Sequence, residues 1–302
     1  MSFADLKRKS QNNFDFLQKE LEKSSTEKSG ADERFWKPEL DASGNGYAVI
    51  RFLPAPEGES VPWAKLYSHA FQGPGGWYIE NSLTTLNQKD PVGEVNRKLW
   101  NSGHDDDKEV ARKQKRKLSY YSNIYVVSDP KHPENDGKVF LYKYGKKIHD
   151  KILAAMKPEF EDETPINPFD FWEGANFKLK IRTVAGYWNY DASEFASPTA
   201  LSAADDELER IWKEQYSLEA FTAPDQFKTF EELEQRLNIV LGIAPAPRPA
   251  FVRNEEDEEE FEPAPVAARR EPSLPKVAAT VGATDDDEDD ALSYFARLAE
   301  ED

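Results

Sequence analysis

Short runs of apolar residues, several of them alternating with polar ones, divide the middle of the chain. Residues 46–53, 122–127, 139–144 and 176–184 are rich in β-branched and aromatic side chains, and prolines or polar turns bound them. Runs of this length, separated by turn residues, predict the strands of a barrel or a sandwich. The pattern therefore predicts a mainly β core.

Apolar residues at helical spacing predict helices beside these strands. Ile148, Ile152 and Met156 mark one helix, and further helices are predicted near residues 206–221 and 229–241. A barrel that is interrupted by a helix and followed by helices is compatible with an OB-type fold. The predicted fold class is therefore mainly β with helices, an α+β arrangement.

Composition divides the chain into four parts. Residues 1–24 are a basic N-terminal arm with apolar residues at helical spacing, and residues 30–242 hold the predicted core. Residues 243–284 combine proline, alanine and acidic residues with few large apolar ones, which is typical of a disordered linker. Residues 285–302 form an acidic tip that begins with six consecutive carboxylates.

The charge is distributed unevenly along the chain, whose formal net charge is −18. Residues 251–302 carry 17 acidic and 5 basic residues, a net charge of −12. Residues 108–151 carry 12 basic and 5 acidic residues, a net charge of +7. The internal block is suited to an anionic partner, whereas the C-terminal segment resembles a polyanion.

The sequence argues against several classes of protein. The chain has no cysteine, which excludes disulfides, thiolate metal sites and cysteine nucleophiles. It contains no phosphate-binding loop of the Walker type and no nucleophile elbow. It has no apolar run of about eighteen residues, and its start does not resemble a secretory signal. We therefore expect a cytoplasmic binding protein without a cofactor rather than an enzyme.

Basic residues followed by aromatic residues predict a site for single-stranded nucleic acid, where cations hold phosphates and rings stack on bases. Arg51 alternates with Ile50 and Phe52, so we expect it to face a groove. Lys146 and Lys147 could instead be ordinary solvated residues at the start of a helix. Some of the predicted tyrosines could belong to the core, since aromatic residues are more often buried than functional. The predicted nucleic-acid-binding residues are Arg51, Lys115, Arg116, Lys117, Tyr120, Tyr121, Tyr142, Lys143, Tyr144, Lys146, Lys147, Tyr187, Trp188 and Tyr190.

The order of these segments resembles the single-stranded-DNA-binding (helix-destabilising) proteins of T-even-type phages. The segments at residues 44–54, 115–120, 145–148 and 172–177 carry the resemblance, which runs from about residue 30 to residue 242. It implies an OB-fold core with an inserted subdomain near residues 60–112. It also implies a cooperative, largely sequence-independent protein that coats and protects single-stranded DNA. The expected setting is phage replication, recombination and repair in the cytoplasm of the infected bacterial host.

The same resemblance implies roles for both ends of the chain. The arm would join neighbouring copies head to tail along DNA through Lys7, Arg8, Lys9 and Ser10, although Gln11 breaks the family pattern. The tip would bind phage replication and recombination proteins. Its apolar residues recur at every third position, as they would on one face of a helix that docks in a partner's groove. Its predicted contact residues are Asp285, Asp286, Asp287, Glu288, Asp289, Asp290, Leu292, Phe295 and Leu298.

Proteins of this family type carry a zinc site made from one histidine and three cysteines. His69 matches the histidine, and the cysteine positions fall on Ser82, Asp90 and Gly93. Glycine has no side-chain ligand and serine is a poor ligand for zinc. We therefore predict that the inserted subdomain folds without zinc and that the chain has no metal site.

Three alternatives remain open at this point. A non-cysteine metal site could be built from His69, Asp90, Glu94 and His104. Asp105, Asp106 and Asp107 could hold metal ions in a nuclease, although a solvated acidic loop is the simpler interpretation. The chain could also be an acidic replication scaffold or adaptor with little DNA binding of its own.

Overall fold

The computed structural model describes residues 32–160 and 162–243. The predicted arm with Lys7, Arg8, Lys9 and Ser10 lies outside the described residues. The linker from residue 244 onwards and the whole acidic tip, with its predicted contact residues 285–290, 292, 295 and 298, also lie outside them. The structural account therefore concerns the core.

Within the described residues the core is a mixed α+β structure dominated by strands, which confirms the coarse fold class. The strands are β1 (Phe35–Trp36), β2 (Gly46–Phe52), β3 (Ala64–Gly73), β4 (Gly76–Asn81), β5 (Lys117–Ser128), β6 (Val139–Tyr144), β7 (Phe177–Val184), β8 (Tyr187–Asn189) and β9 (Glu194–Phe195). The α-helices are α1 (Pro91–Asn101), α2 (Asp105–Lys113), α3 (Lys146–Met156), α4 (Asp205–Lys213) and α5 (Phe230–Val240). None of the helices in this part of the chain is long and apolar enough to cross a membrane.

The described core divides into two compact units. The first unit comprises residues 32–65, 119–160, 162–182 and 190–222. The second unit comprises residues 66–118, 183–189 and 223–243. The second unit takes in most of the predicted inserted subdomain and adds two segments from later in the sequence.

The sheet of the first unit runs in the order β1-β6-β5-β2-β7, with β9 paired to β7. Its pairs are antiparallel except for β1 with β6, which is parallel. Ile50, Phe52 and Phe177 are fully buried, and the ring of Phe52 lies 5.6 to 5.8 Å from the rings of Tyr144, Phe169 and Phe177. Apolar side chains therefore cover the central strand β2. Closure of this sheet into an OB-type barrel stays a prediction.

The core of the second unit forms where α5 packs on the β3–β4 hairpin. Seven buried apolar residues make this cluster: Phe71, Tyr78, Leu83, Val92, Leu233, Leu237 and Val240. Helix α5 begins with a capping box, in which Thr229 accepts from the amide of Glu232 and the Glu232 side chain accepts from the Thr229 amide. The hairpin turn rests against the end of this helix, since the amide of Gly75 donates to the carbonyl of Val240 at 2.8 Å.

The predicted elements agree with the structure where the apolar pattern is strong. Residues 46–53, 139–144 and 229–241 match β2, β6 and α5 to within one residue at each end. The helix predicted near residues 206–221 is shorter, because α4 ends at Lys213. The side-chain amide of Asn123 then exchanges two hydrogen bonds with the backbone of Tyr216, which holds that segment in a non-helical conformation.

The acidic run at residues 105–107 is not a loop. Asp105, Asp106 and Asp107 form the first turn of α2. Carboxylates are favourable there because the start of a helix carries partial positive charge. The expectation of an acidic loop was therefore wrong, because the backbone of this run is helical. Strands β3 and β4 and helix α1 were not predicted either.

We predict that Gly75→Ala destabilises the second unit. A Cβ atom at this position would overlap the backbone carbonyl of Ile239, which a helix end cannot easily move. We expect a loss of about 1–3 kcal/mol in the free energy of unfolding, measured by urea denaturation. Gly93→Ala is the matched control, since a Cβ there meets nothing nearer than 4.0 Å. Equal stabilities of the two variants would contradict the packing argument.

Candidate nucleic-acid interface

The predicted nucleic-acid-binding residues fall in both units of the core. The second unit holds Lys115, Arg116, Lys117, Tyr187 and Trp188. The first unit holds the remaining nine residues: Arg51, Tyr120, Tyr121, Tyr142, Lys143, Tyr144, Lys146, Lys147 and Tyr190.

Three predicted tyrosines of the first unit lie side by side on one face of the sheet. Tyr120 pairs with Tyr144 across β5 and β6, and Ser122 pairs with Tyr142. The ring centroids are 5.8 Å apart for Tyr120 and Tyr144, and 5.6 Å apart for Tyr142 and Tyr144. We call Tyr120, Tyr142 and Tyr144 the aromatic row. Its members are only 7, 3 and 4% exposed, so the row belongs to the core in this conformation.

His149 covers the end of the aromatic row. Its imidazole stacks on Tyr120 with centroids 3.7 Å apart and planes within 10°. Burial lowers the pKa of His149, with a further lowering by Lys65 against an opposing effect of Asp150, and this favours the neutral ring. One face of the Tyr120 ring is therefore occupied by His149. This contact could not be predicted from the sequence, because His149 and Tyr120 are far apart along the chain and only the fold brings their rings together.

The start of helix α3 carries positive charge next to this stack. Lys146 and Lys147 are in its first turn, which holds no acidic residue, and the N-cap Gly145 offers no side-chain hydrogen bond. The Lys146 ammonium lies 3.1 Å from the carboxylate of Asp150 one turn later. Amides at a helix start and nearby ammonium groups both favour an anion. This arrangement can hold a phosphate.

Tyr121 and Lys143 lie on the opposite face of the same strands. They pair across β5 and β6, and the Lys143 ammonium lies 5.8 Å from the Tyr121 ring centroid. The ring of Tyr121 stacks on Phe221 at 4.4 Å, and burial raises the pKa of its hydroxyl to about 12. Lys143 is exposed. The adjacent residues Tyr120 and Tyr121 thus belong to different surfaces.

Arg51 does not face a groove. It is 0% exposed, and its guanidinium donates to the backbone carbonyl of Thr199. Strand β2 lies between β5 and β7, and four successive residues from Ile50 to Leu53 are buried. Both faces of this central strand are covered there, so neither of the two alternating sets of side chains from Ile50 to Leu53 faces solvent. Tyr190 is also buried in the first unit.

The basic segment of the second unit connects α2 to β5. Lys115, Arg116 and Lys117 are all half-buried. The guanidinium carbon of Arg116 lies 4.0 Å from the ring centroid of Tyr67, a cation–π distance. Sequence reasoning missed Tyr67, because it lies far from Arg116 along the chain and only the fold brings them together.

Tyr187 lies at the tip of a tight hairpin in the second unit. Ala185 and Gly186 both have positive φ, of 52° and 88°, as the two central residues of a type I′ turn require. Tyr187 follows the turn and is 45% exposed, and Trp188 is half-buried. Tyr187 is therefore the predicted stacking residue that solvent reaches most readily.

The residues that the resemblance matched to zinc ligands also meet in the second unit. The Asp90 carboxylate accepts from the Ser82 hydroxyl at 2.9 Å, and it lies 3.3 Å from the His69 Nε2 atom. Burial raises the pKa of Asp90, but hydrogen bonds and charge from His69, with the bond from Ser82, lower it below its ordinary value. Asp90 is therefore a carboxylate at neutral pH.

The alternative metal site is not assembled among the described residues. Glu94 pairs with Arg97 at 2.9 Å, and His104 is an exposed residue at the start of α2. Within residues 32–160 and 162–243, no group of three or more His, Cys, Asp or Glu side chains could hold a metal ion. This applies to the cluster at residues 105–107 as well.

Comparisons with known proteins point to one family. A family model described as gp32 DNA binding protein like matches residues 44–241. The chain is 45% identical over 223 residues to the single-stranded DNA-binding protein of Enterobacteria phage T2, covering 72% of each chain. It is 44% identical over 223 residues to the protein of the same name from Enterobacteria phage T4, covering 72% of this chain and 73% of the relative.

We predict that Tyr187→Ala weakens binding of oligo(dT) while the thermal midpoint stays unchanged. A lost base stack costs about 1–3 kcal/mol, so the Kd should rise about 5- to 150-fold. Tyr47→Ala is the matched control, because Tyr47 is 46% exposed on β2 and is not a predicted contact. Fluorescence titration of both variants measures the effect. An equal rise in the Kd of the two variants would show that Tyr187 is not a specific DNA contact.

Proposed function

The chain belongs to the gp32-like DNA-binding protein family, and we propose that it binds single-stranded DNA largely without regard to sequence. The family has a binding function and no enzymatic one, in agreement with the expectation from the sequence. One observation carries the proposal for this chain. The start of α3 carries Lys146 and Lys147 and no acidic residue in its first turn, so ammonium groups and helix-start amides occur together where a phosphate can bind.

Phosphate contacts supply most of the affinity in this proposal. Lys146 and Lys147 provide cations at a helix start, and Lys143 provides an exposed one on the other face of the sheet. The second unit provides a basic segment made of Lys115, Arg116 and Lys117. Its resemblance to the family is a separate argument that this segment contacts phosphate. Phosphates carry no sequence information, which is why such contacts suit a protein that coats DNA.

Base stacking supplies the second part of the proposed binding. Tyr187 is accessible in the described conformation, with Trp188 behind it. The aromatic row is buried, and His149 covers Tyr120. A base can stack on Tyr120 only after His149 has moved aside. We therefore place Tyr187 first among the stacking contacts, and we assign the row a supporting role in the core.

The wider biological role rests on the family and on the sequence. We propose an OB-fold core that coats and protects single-stranded DNA during phage replication, recombination and repair in the host cytoplasm. The arm, through Lys7, Arg8, Lys9 and Ser10, would link neighbouring copies along the strand. The acidic tip would recruit replication and recombination proteins, and as a tethered polyanion it would compete with DNA for the cations.

We predict that replacing Lys146 and Lys147 together by alanine weakens DNA binding and reduces its dependence on salt. Each lost phosphate contact on a single strand lowers the slope of log K against log salt by about 0.7, so two contacts lower it by about 1.4. Titration with oligo(dT) at several salt concentrations measures this slope.

The control for this test is the double variant Lys157→Ala and Lys213→Ala, which removes the same charge from exposed positions of the first unit. Lys157 follows the opposite end of α3, so the comparison separates the helix start from net charge. Identical slopes in the two double variants would exclude the proposed phosphate site. Absence of any fluorescence change with oligo(dT) in the unaltered protein would favour the scaffold function instead.

We predict opposite effects from deleting the two ends of the chain. Deletion of residues 1–24 should abolish cooperativity on long oligo(dT) and spare binding to a single-site oligonucleotide. Deletion of residues 251–302, which carry a net charge of −12, should tighten binding at low salt. Titration against oligonucleotides of several lengths separates these quantities. A loss of single-site binding without the arm would make the arm part of the DNA site, and unchanged affinity without the tail would exclude competition.

A further inference from the structure

The carboxylate of Asp90 joins three segments of the second unit. As the N-cap of α1 it accepts from the amides of Val92 and Gly93 through Oδ1, at 3.0 and 3.4 Å. Through Oδ2 it accepts from the Ser82 hydroxyl and from the amide of Leu83, at 2.9 and 3.0 Å. Asp90 and Ser82 are 3% and 0% exposed. One buried carboxylate therefore accepts four hydrogen bonds, two from the start of α1 and two from the segment after β4. Both segments are distant from His69 in the sequence.

His69 brings the third segment, strand β3, into this network. Its Nδ1 atom lies 3.0 Å from the carbonyl oxygen of Gln114. A carbonyl only accepts, so Nδ1 is the donor. The other ring nitrogen, Nε2, lies 3.3 Å from Oδ1 of Asp90. A histidine that binds a metal typically donates one ring nitrogen to a carbonyl and points the other at the metal. His69 has this orientation, with a carboxylate oxygen in the place of the metal.

The residues present do not fit the zinc ion of the family. Zinc in a structural site takes four ligands in a tetrahedron, usually thiolate and imidazole. Gly93 supplies no ligand, and the hydroxyl of Ser82 is already used as a donor to Asp90. Both oxygens of Asp90 are occupied by protein donors. His69 is the one remaining zinc ligand among the four positions.

Space is not the reason for the missing ligand at Gly93. A Cβ atom built there meets nothing nearer than Asp90 Cβ at 4.0 Å. The backbone at this position therefore has room for a Cβ atom.

We propose that the buried Asp90 carboxylate replaces the family's zinc ion as the link between β3, the segment after β4 and the start of α1. The network joins Ser82 and the N-terminus of α1 through hydrogen bonds to the carboxylate and brings Nε2 of His69 to 3.3 Å from it, and it needs no metal. This inference depends on membership of the family but is independent of the proposed DNA binding. Its tests measure metal content and stability, so a failure here would leave the DNA-binding proposal unaffected.

Measurement of bound metal and of its effect on stability tests the proposal in the full unaltered chain. After dialysis, elemental analysis should find no stoichiometric zinc, and neither EDTA nor added zinc should shift the thermal midpoint. Zinc retained at one ion per chain, with a midpoint that falls when EDTA removes it, would overturn the proposal.

Variants of the network test whether Asp90 is its central residue. Asp90→Ala should lower the thermal midpoint by about 10 °C, since it leaves several buried donors without an acceptor. Asp41→Ala is the matched control: Asp41 is exposed and accepts from the amides of Ser43 and Asn45 within a single local turn. Similar decreases in the thermal midpoint of the two variants would show that Asp90 acts only as a local helix cap, and this would overturn the proposal.

A double-mutant cycle with Ser82→Ala tests the link directly. Ser82→Ala should lower the midpoint in the unaltered chain and have little further effect when Asp90 is already alanine, because the acceptor is then absent. Full additivity would show that the two residues act separately. If the Asp90 variant does not fold, the Asp90→Asn variant replaces it in the cycle, since an amide oxygen still caps α1 but the charge facing His69 is lost.

Restoring the thiolates tests the correspondence of positions. The variant with Ser82→Cys, Asp90→Cys and Gly93→Cys should bind one zinc per chain, and its midpoint should fall in EDTA. A variant that folds but takes up no zinc would show that the backbone does not keep the family geometry, and the proposed replacement would then be wrong.

Discussion

The alternation of side chains along a paired strand determines which of the candidate residues meet. Successive residues of a strand point to opposite faces of its sheet. The register of β5 with β6 therefore separates Tyr120 from its neighbour Tyr121 and puts Tyr144 beside the first and Lys143 beside the second. A run of basic and aromatic residues that looks continuous in the sequence is thus divided between two surfaces. The cationic start of α3 lies beside one of them, through the contact of His149 with Tyr120.

The sequence predicted local structure where the apolar spacing was strong, missed β3, β4 and helix α1, and predicted exposure poorly. Strands β2 and β6 and helix α5 follow directly from the spacing of their apolar residues. Strand β2 also shows the limit of that reasoning: alternation predicts an outward Arg51, but β2 is central and both of its faces are covered. Whether a strand is central depends on pairings between distant segments, which no local pattern contains. The same limit explains why Tyr67, Phe221 and His149 were not anticipated as partners of Arg116, Tyr121 and Tyr120.

Strain and burial are concentrated in different parts of the candidate interface. The aromatic row and Tyr121 are packed against other rings, and burial raises the pKa of Tyr121, Tyr142 and Tyr144 above that of a free phenol. Tyr187 instead projects from a turn in which Ala185 has a left-handed conformation, uncommon for a residue with a side chain. The first unit therefore contributes packed rings, and the second unit contributes an exposed ring on a tight turn.

A subdomain held by a carboxylate, as proposed for Asp90, would differ from one held by thiolates in what its folding needs from the cell. Thiolates that bind zinc are open to oxidation, and oxidised sulfur no longer holds the metal. This chain has no cysteine, so peroxide has no thiol to attack. Under the proposed replacement, folding of the second unit would draw nothing from the host's supply of zinc. With Asp90 as the proposed link, the fraction of copies that fold would not depend on the zinc or the peroxide present in the cell.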